Sequence, residues 1–493
     1  MGRRSTDPPS RLRSLAPYLL VTMFSALPAA AAMRQPLMTL DEGLLLVYPE
    51  QILAGDVPNR DFFTSYGPGG LSLLAGVYAV TGPSVVAERL IGLAYHIGIA
   101  TGVYAMVRRL GMLPAAVGGV LAGLLIVPLG LGAYSWLGAL ALLTWSLALL
   151  DAPGSPWRTA AAGAVGALAV SWRPEVLLLV VAASVPHLRR QHRWRPWGTG
   201  AVIGALPLAV HAALGGWPLW TSIVGRVGAN SGLRVSITDI DVVVGTLATL
   251  SAAAYLVWAA WRTRTPRAVS WAALSLLVLP QMLQRLDRGH ALAVACVVIP
   301  LALAQAMSRR AVSDRSMLRF GERSAGRAAW AGALVLLTLL SAQSLAASRG
   351  SPPWVVHDGR TMPVLHAPEK DALDELLQAV DAAVPPGGRV FLGATDMSVP
   401  TINDIRLYHL LPRHDAFGYY LELPPPQPNG SALLEDLRQA DVLVLREVPR
   451  AWGRAMVPFI PPGDDAANDL VARKFCLAER VRPYVVYLRC GAS

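Results

Sequence analysis

Long apolar runs separated by short arginine-bearing loops fill the first three quarters of the chain. A helix needs about 20 mostly apolar residues to cross a hydrocarbon core of about 30 Å. The pattern predicts about eleven membrane-spanning helices, at residues 15–33, 84–106, 113–129, 134–150, 159–172, 174–187, 197–215, 241–261, 268–283, 290–307 and 329–347. Residues 1–347 are therefore predicted to form a mainly α, polytopic transmembrane bundle with an outer loop at 34–83.

Residues 348–493 have a different pattern, in which amphipathic helices alternate with short apolar strands. Helices are predicted at 368–384, 431–439 and 466–481, and strands at 389–393, 442–446 and 484–489. This alternation is typical of a small α/β domain. The boundary between the two regions falls near Arg349.

Composition agrees with membrane insertion, since 54% of the residues are hydrophobic, 15% are charged and the mean hydropathy is +0.44. The net charge of +11 belongs to the membrane region, where 28 arginines face 14 acidic residues. These arginines lie in short loops between spans, which is typical of cytoplasmic anchoring and not of a nucleic-acid-binding face.

The positions of the arginines also predict the topology. Arginines precede the first span, so its N-terminus is predicted to be cytoplasmic and the helix uncleaved. Counting from there, the C-terminal domain is extracytoplasmic. Residues 67–80 are predicted to form an interfacial or re-entrant helix, since a crossing there would place Arg108 and Arg109 outside.

Three cysteines occur, and none has metal or redox spacing. Cys296 lies in a span and is interpreted as a packing residue. Cys476 and Cys490 both lie in the outer domain, where a disulfide is permitted, but the sequence leaves their pairing open.

Acidic residues are expensive at membrane depth, so their sidedness is informative. Ten of the 14 acids in the membrane region fall on the outer side of the predicted topology, which predicts an outward-facing cavity lined by carboxylates. Asp41 and Glu42 begin an amphipathic stretch at 44–53 that is expected to lie along the membrane surface. Asp41 and Glu42 are the candidate catalytic residues. Thr39–Leu40–Asp41–Glu42 is also a capping box, and a purely structural role in starting the helix is favoured for Glu42 but not for Asp41.

Other candidates for substrate binding follow along the chain. Arg60, Asp61 and Tyr66 share the outer loop, and Arg89 follows it in the next span. An aromatic anchor and a turn explain most of the loop segment equally well. Arg173 and Glu175 flank Pro174, where they either pair with each other or contact a ligand.

The segment containing Arg285, Asp287, Arg288 and His290 joins two spans on the outer side. It is either a phosphate clamp or a self-neutralising loop. His96 and His211 lie within spans and are interpreted as packing residues. No nucleotide-binding, zinc-protease or nucleophile-elbow motif with fitting context occurs, and no motif requires a cofactor or a metal, although a divalent cation is left open.

An ordered set of short motifs in the outer loop resembles the first outer loop of the GT-C membrane glycosyltransferases, particularly bacterial relatives of protein O-mannosyltransferase and of the lipid A aminoarabinose transferase. The set comprises Asp41–Glu42–Gly43, the helix end at 52–58, Arg60–Asp61–Phe62–Phe63, Tyr66–Gly67–Pro68, Thr81–Gly82–Pro83–Ser84 and Arg89. It covers about a tenth of the chain, and the rest matches only in hydropathy.

The resemblance implies an inverting hexosyl- or pentosyltransferase in a bacterial cytoplasmic membrane. Its donor would be a polyprenyl-phosphate sugar, and its acceptor a hydroxyl of an envelope glycan, lipid or protein. It also implies that Asp41 is the general base, while Arg173, Arg285 and Arg288 are the candidates for stabilising the lipid phosphate that leaves. Several relatives carry a cation beside the proline of the second loop helix, but Pro68 has none, so Arg60 or the later loops would replace it.

The competing class is a non-enzymatic permease or lipid flippase. Such proteins favour acids and broken helices near the middle of the membrane, whereas the candidates here crowd at one face. The sequence therefore favours the enzyme, and it leaves the sugar and the acceptor open.

Overall fold

The computed structural model describes residues 11–37, 41–62, 64, 66–152, 155–229, 240–283, 286–308, 332, 352–399, 401–417, 422–423, 431–448 and 463–491. In the membrane region the described helices are α1 (Arg11–Ala30), α2 (Asp41–Ala54), α3 (Pro68–Thr81), α4 (Val85–Val107), α5 (Met112–Ile126), α6 (Ser135–Asp151), α7 (Pro156–Trp172), α8 (Leu177–Gln191), α9 (Trp194–Ala229), α10 (Ile240–Thr263), α11 (Pro266–Leu283) and α12 (Arg288–Met307).

Each predicted span that falls within the described residues coincides with a helix of this bundle. The span at 329–347 lies outside them except for residue 332. Six described helices are long and apolar enough to cross a membrane, which makes this a multi-pass membrane protein. The remaining predicted spans are shorter or more polar helices, so the count of about eleven stays a prediction. α3 begins at Pro68, where the missing amide hydrogen costs nothing.

Small residues allow the helices of the bundle to approach closely. α7 packs along α9, where an added Cβ at Gly200 would lie 1.8 Å from the Ala160 carbonyl oxygen. One turn further, a Cβ at Gly204 would lie 2.0 Å from the carbonyl oxygen of Ala164. This spacing of small residues is typical of tightly packed transmembrane helices, because it brings two backbones into contact.

The C-terminal domain is called the outer domain after its predicted location. Its described part contains four helices, α13 (Ala367–Ala383), α14 (Leu407–Leu410), α15 (Ser431–Gln439) and α16 (Ala466–Lys474). Its strands are β1 (Trp354–His357), β2 (Arg360–Pro363), β3 (Arg389–Ala394), β4 (Thr401–Ile402), β5 (Asp415–Phe417), β6 (Glu422–Leu423), β7 (Val442–Arg446), β8 (Phe475–Val481) and β9 (Tyr484–Arg489).

Five strands form one mixed sheet in the order β5-β3-β7-β9-β8. β3 is parallel to β5 and β7, whereas β9 runs antiparallel to both β7 and β8. A small C-terminal sheet domain is therefore confirmed, while its boundary with the bundle stays a prediction. The hairpin of β1 and β2 and the pair of β4 and β6 were not predicted.

One predicted helix is wrong in its second half. The helix expected at 466–481 ends at Lys474, and Phe475 begins an edge strand that pairs with β9. Five of its seven residues are exposed, so the strand lacks the apolar alternation that marks a half-buried strand. Cys476 and Cys490 form a disulfide across this strand pair, with Cα atoms 5.0 Å apart.

Candidate active site

α2 carries the two acids that the sequence singled out, and its first half is enclosed by protein. Residues 42–49 are all buried, beneath contacts from α3, α4 and the outer-domain helix α14. The amphipathic pattern, with one apolar and one polar face, is therefore wrong for the first half of α2, whereas its position along the membrane surface stays a prediction. An amphipathic pattern shows which residues avoid water, but it cannot show that a second domain covers the other face.

Asp41 is the first residue of α2 and is half-buried. The hydroxyl of Tyr66 donates a hydrogen bond to Asp41 Oδ1. Two predicted site residues 25 positions apart are thus in direct contact. Such a bond fixes the orientation of the Asp41 carboxylate, so that orientation depends on the position of the loop that carries Tyr66.

That loop is anchored on the end of α7. The amide of Gly67 donates to the Trp172 carbonyl oxygen over 3.0 Å. A Cβ added at Gly67 would lie 2.4 Å from the carbonyl oxygens of Ser171 and Trp172, so only glycine permits this approach. The Trp172 indole in turn donates to the Tyr95 hydroxyl over 2.9 Å, which ties the anchor to α4.

Arg173 follows this anchor directly, in extended backbone between α7 and α8. Its guanidinium pairs with Glu175 and lies 5.9 Å from the centre of the Trp136 ring. Its Nε is buried and has no hydrogen-bond partner among the described residues. The structure therefore places Arg173 next to the loop that holds Asp41, paired with the other residue predicted beside it.

Glu42 and Arg89 form a buried ion pair whose side chains are 3% and 2% exposed. Arg89 Nε lies 3.0 Å from Glu42 Oε1 and Nη2 lies 3.3 Å from Oε2. Arg89 Nη1 also donates to the carbonyl oxygens of Met33 and Gln35, at 2.8 and 2.7 Å. The pair fastens the start of α2 to α4 and to the chain that leaves α1. The proposed capping partner Thr39 lies outside the described residues.

Two further residues lie beside these acids but were not selected as site residues from the sequence. Glu88, the neighbour of Arg89, is fully buried, and its carboxylate accepts a hydrogen bond from the Ala133 amide. Tyr134, the residue before α6, lies close enough to Glu42 and Asp41 for their charges to act on its hydroxyl. The acid at Glu88 was visible in the sequence, but an isolated tyrosine at the end of a loop gives no signal.

The segment predicted to clamp phosphate lies at the start of α12. Asp287 caps this helix by accepting a hydrogen bond of 2.9 Å from the His290 amide, and its carboxylate also lies 2.9 Å from His290 Nδ1. Arg288 is exposed and forms no ion pair within the part of the chain that the structure describes. Arg285 lies outside the described residues. The Trp136 indole donates to Ala293 over 3.2 Å, so the ring beside Arg173 also touches α12.

Arg60 and Asp61 lie apart from these contacts, on an exposed turn after α2. They pair with each other at 2.6 Å, and Asp61 also accepts the Val57 amide over 2.7 Å. The hydrogen bond from Arg60 and, to a smaller extent, that from the Val57 amide lower the pKa of Asp61. Their role in substrate binding stays a prediction, as do the roles of all the candidates above.

The outer domain contacts α2 through Arg360, at the start of β2. Its guanidinium holds Glu50 with two bonds of 3.0 and 2.8 Å and also donates to the Pro83 carbonyl oxygen. Burial tends to raise the pKa of Glu50, but hydrogen bonds and charge from His409 and Arg360 outweigh it, so the pKa is lowered. A bidentate pair of this kind fixes both partners in orientation.

A second contact lies at the other end of α2. Arg406 Nη1 donates to the Leu37 carbonyl oxygen over 3.3 Å, and the Leu37 amide donates to Pro363 over 3.0 Å. A Cβ at Gly43 would lie 3.0 Å from the Arg406 amide nitrogen. Arg406 is itself held by Asp404, whose pKa is lowered because Arg406 outweighs the effect of burial. The outer domain thus grips both ends of the helix that begins at Asp41.

One group of side chains in the described residues could hold a metal ion. His357, Asp358 and Asp381 each offer a ligand atom, and these atoms lie within 4.8 Å of one another. All three belong to the outer domain, and none was selected from the sequence.

Solved structures of two membrane proteins are similar to this chain. ArnT from Cupriavidus metallidurans bound to undecaprenyl phosphate gives a TM-score of 0.58 at 12% identity, covering 98% of this chain and 99% of ArnT. ArnT in the apo state gives 0.52 at 13% identity, covering 96% and 97%. The Archaeoglobus fulgidus oligosaccharyltransferase in complex with Zn and sulfate gives 0.50 at 11% identity, covering 92% and 71%.

No family model matches the chain, and no curated protein matches its sequence. At such low identity the likeness is one of fold. It confirms, at that level, the resemblance to GT-C proteins that the outer-loop motifs predicted.

Proposed function

We propose that this protein, which has the fold of the membrane transferases compared above, moves a sugar from a polyprenyl-phosphate donor to an acceptor hydroxyl on the outer face of the membrane. One observation carries the proposal: Asp41 stands at the start of an enclosed helix, oriented by Tyr66, in a fold that aligns with undecaprenyl-phosphate-bound ArnT over 98% of this chain.

In this reaction Asp41 is the general base. Its carboxylate takes the proton from the acceptor hydroxyl while the acceptor oxygen attacks the anomeric carbon. The bond between that carbon and the lipid-phosphate oxygen breaks, and the configuration inverts. Because the Tyr66 hydroxyl engages Oδ1, it fixes the direction in which Oδ2 faces.

Cations stabilise the phosphate that leaves. Arg288 is exposed at the first position of α12, and Arg173 lies next to the Tyr66 loop with a buried Nε that lacks a partner among the described residues. Arg285 completes this proposed set. Arg173 would turn from Glu175 toward the phosphate, because a bidentate guanidinium–phosphate pair is at least as favourable as its present carboxylate pair.

The proposed orientation places the N-terminus in the cytoplasm and the outer domain outside. The disulfide between Cys476 and Cys490 supports it, because disulfides persist in oxidising compartments. Single cysteines in the loop at residue 56 and at residue 192, labelled by a membrane-impermeant thiol reagent in intact cells, test the orientation. Labelling at 192 but not at 56 would reverse it.

The catalytic proposal is tested with the full chain in nanodiscs, a polyprenyl-phosphate sugar and a panel of hydroxyl acceptors. Asp41→Asn is expected to reduce the transfer rate by about 10²–10⁴-fold, the usual contribution of a general base, while binding of polyprenyl phosphate is retained. Asp56→Asn is the matched control, because it makes the same change in the same outer loop and is expected to leave the rate unchanged.

Two outcomes would contradict this assignment. If Asp41→Asn transfers sugar as the unaltered protein does, Asp41 is not the base. If the unaltered protein binds the lipid and moves it between leaflets without transferring sugar from any donor, the protein is a flippase.

A further inference from the structure

Four side chains of the outer domain converge near the turn between β1 and β2. His357 ends β1, Asp358 begins the two-residue turn of the hairpin, Asp381 lies in the last turn of α13, and His414 immediately precedes β5. Asp358 has φ +46°, and Gly359 after it has φ +75°. Positive φ at both central residues is typical of the tight hairpin turn that aspartate–glycine pairs favour.

The spacing of the donor atoms suits a small divalent cation. His357 Nε2 lies 3.4 Å from Asp381 Oδ2 and 3.7 Å from Asp358 Oδ2. Zinc bonds of about 2.0–2.1 Å in a tetrahedron place ligand atoms about 3.3 Å apart. The observed distances are thus a few tenths of an ångström from that geometry.

Two of these three ligand atoms also lack hydrogen-bond partners among the described residues. His357 Nε2 and Asp358 Oδ2 are buried and have no hydrogen-bond partner among the described residues. Leaving such atoms unpaired is costly, and buried polar groups in folded proteins are nearly always satisfied. A bound cation would satisfy both atoms at once.

The opposite oxygens of the two carboxylates are already held. Arg413 lies 2.6 Å from Asp358 Oδ1, and His414 Nε2 lies 3.3 Å from Asp381 Oδ1. Partners of this kind orient metal-binding carboxylates and direct their free oxygens toward the ion. The cluster contains one arginine and two carboxylates, and this excess of acidic groups favours a cation.

We propose that His357, Asp358 and Asp381 bind one zinc-like divalent transition-metal ion, with water in the remaining position. One imidazole and two carboxylates suit zinc or manganese, whereas calcium and magnesium prefer sites made of oxygen ligands alone. The ion fastens the hairpin turn to α13. Arg360 stands opposite His357 in the hairpin register, so the same turn supports the arm that grips Glu50 of α2.

The experiment uses untagged full-length protein in detergent, stripped with a chelator and then incubated with Zn²⁺. After desalting, about one zinc per chain is expected by elemental analysis, with a higher melting temperature than in chelator, since an ion that binds only the folded state stabilises it. Co²⁺ in place of Zn²⁺ is expected to give the visible absorption of a site with four or five ligands.

His357→Ala and Asp381→Asn are each expected to lower bound zinc at least tenfold and to abolish the metal-dependent rise in melting temperature. Asp381→Asn keeps the size of the side chain and so guards against a folding defect. His366→Asn is the matched control, because His366 is exposed in the same domain and caps α13 through a role that asparagine fills. This variant should bind zinc normally.

Folded, unaltered protein that binds neither Zn²⁺ nor Mn²⁺ stoichiometrically would overturn the proposal. So would undiminished binding by both ligand variants, or an equal loss in His366→Asn. Each readout is independent of sugar transfer.

Discussion

The buried pair of Glu42 and Arg89 allows a quantitative test of how α2 is fixed. Both side chains are almost fully enclosed. Removing one partner leaves a buried charge without compensation, which costs about 3–5 kcal/mol. Arg89→Met removes, in addition, the donors to the Met33 and Gln35 carbonyl oxygens, which adds about 1–3 kcal/mol for each oxygen left unsatisfied.

The two single variants should therefore differ in a defined order. Glu42→Gln destabilises the protein strongly, and Arg89→Met destabilises it more. The double variant removes the uncompensated charge, so its cost should fall below the sum of the two by up to about 3 kcal/mol. Unfolding in mixed micelles, followed by tryptophan fluorescence and by size-exclusion chromatography, measures all four proteins.

The pair of Arg60 and Asp61 is the control, because it has similar contacts but side chains that are 48% and 32% exposed. Water screens such a pair, so Arg60→Met and Asp61→Asn should not shift the unfolding midpoint measurably. If Glu42→Gln is no less stable than this surface control, or if the stability losses of Glu42→Gln and Arg89→Met simply add in the double variant, the buried pair does not fix α2.

Three further expectations follow from the same contacts. Tyr66→Phe removes one charge-assisted hydrogen bond to Asp41, so the rate of sugar transfer should fall by about 10–100-fold with little change in lipid binding. An unchanged rate in the nanodisc assay would show that this bond does not orient the carboxylate. Gly67→Ala should lower both melting temperature and transfer, whereas Gly76→Ala in the same segment meets no atom within 4 Å and should be neutral; equal behaviour of the two in thermal denaturation would contradict the close backbone contact. The lowered pKa of Glu50 predicts that the ionised carboxylate contributes fully to stability above its ordinary pKa of 4.5, and that this contribution is lost as the pH falls through the lower pKa of the folded state. Melting temperatures measured from pH 3 to 7 should therefore fall less steeply toward acid in Glu50→Gln than in the unaltered protein. Identical pH profiles of the two proteins would exclude this contribution.

Helices that span or approach the membrane were predictable because their signal is local. An apolar run such as 84–106 must satisfy its backbone internally once it is in lipid, so its sequence alone requires a helix. α4 covers almost the same residues. The ordered motifs of the outer loop also indicated, before any contact was known, a resemblance that agrees with the fold this chain shares with ArnT.

Prediction failed where pairing partners decide the structure. The stretch after Lys474 has residues that suit either helix or strand, and it becomes a strand because β9 supplies hydrogen bonds along its length. The hairpin of β1 and β2 did carry a recognisable signal, an aspartate–glycine turn after an apolar run.

In the candidate site, the sequence predicted that acids gather at one face of an apolar bundle and that Asp41 begins a helix there, and α2 does begin at Asp41. Only the tertiary structure decided their partners. Glu42 meets Arg89 across 47 positions, Tyr66 meets Asp41 across 25, and Arg360 meets Glu50 across 310. Local pattern carries the free energy of backbone hydrogen bonding and of membrane burial, which each segment obtains by itself. A buried charge, by contrast, is stable only beside a partner that folding brings from elsewhere in the chain.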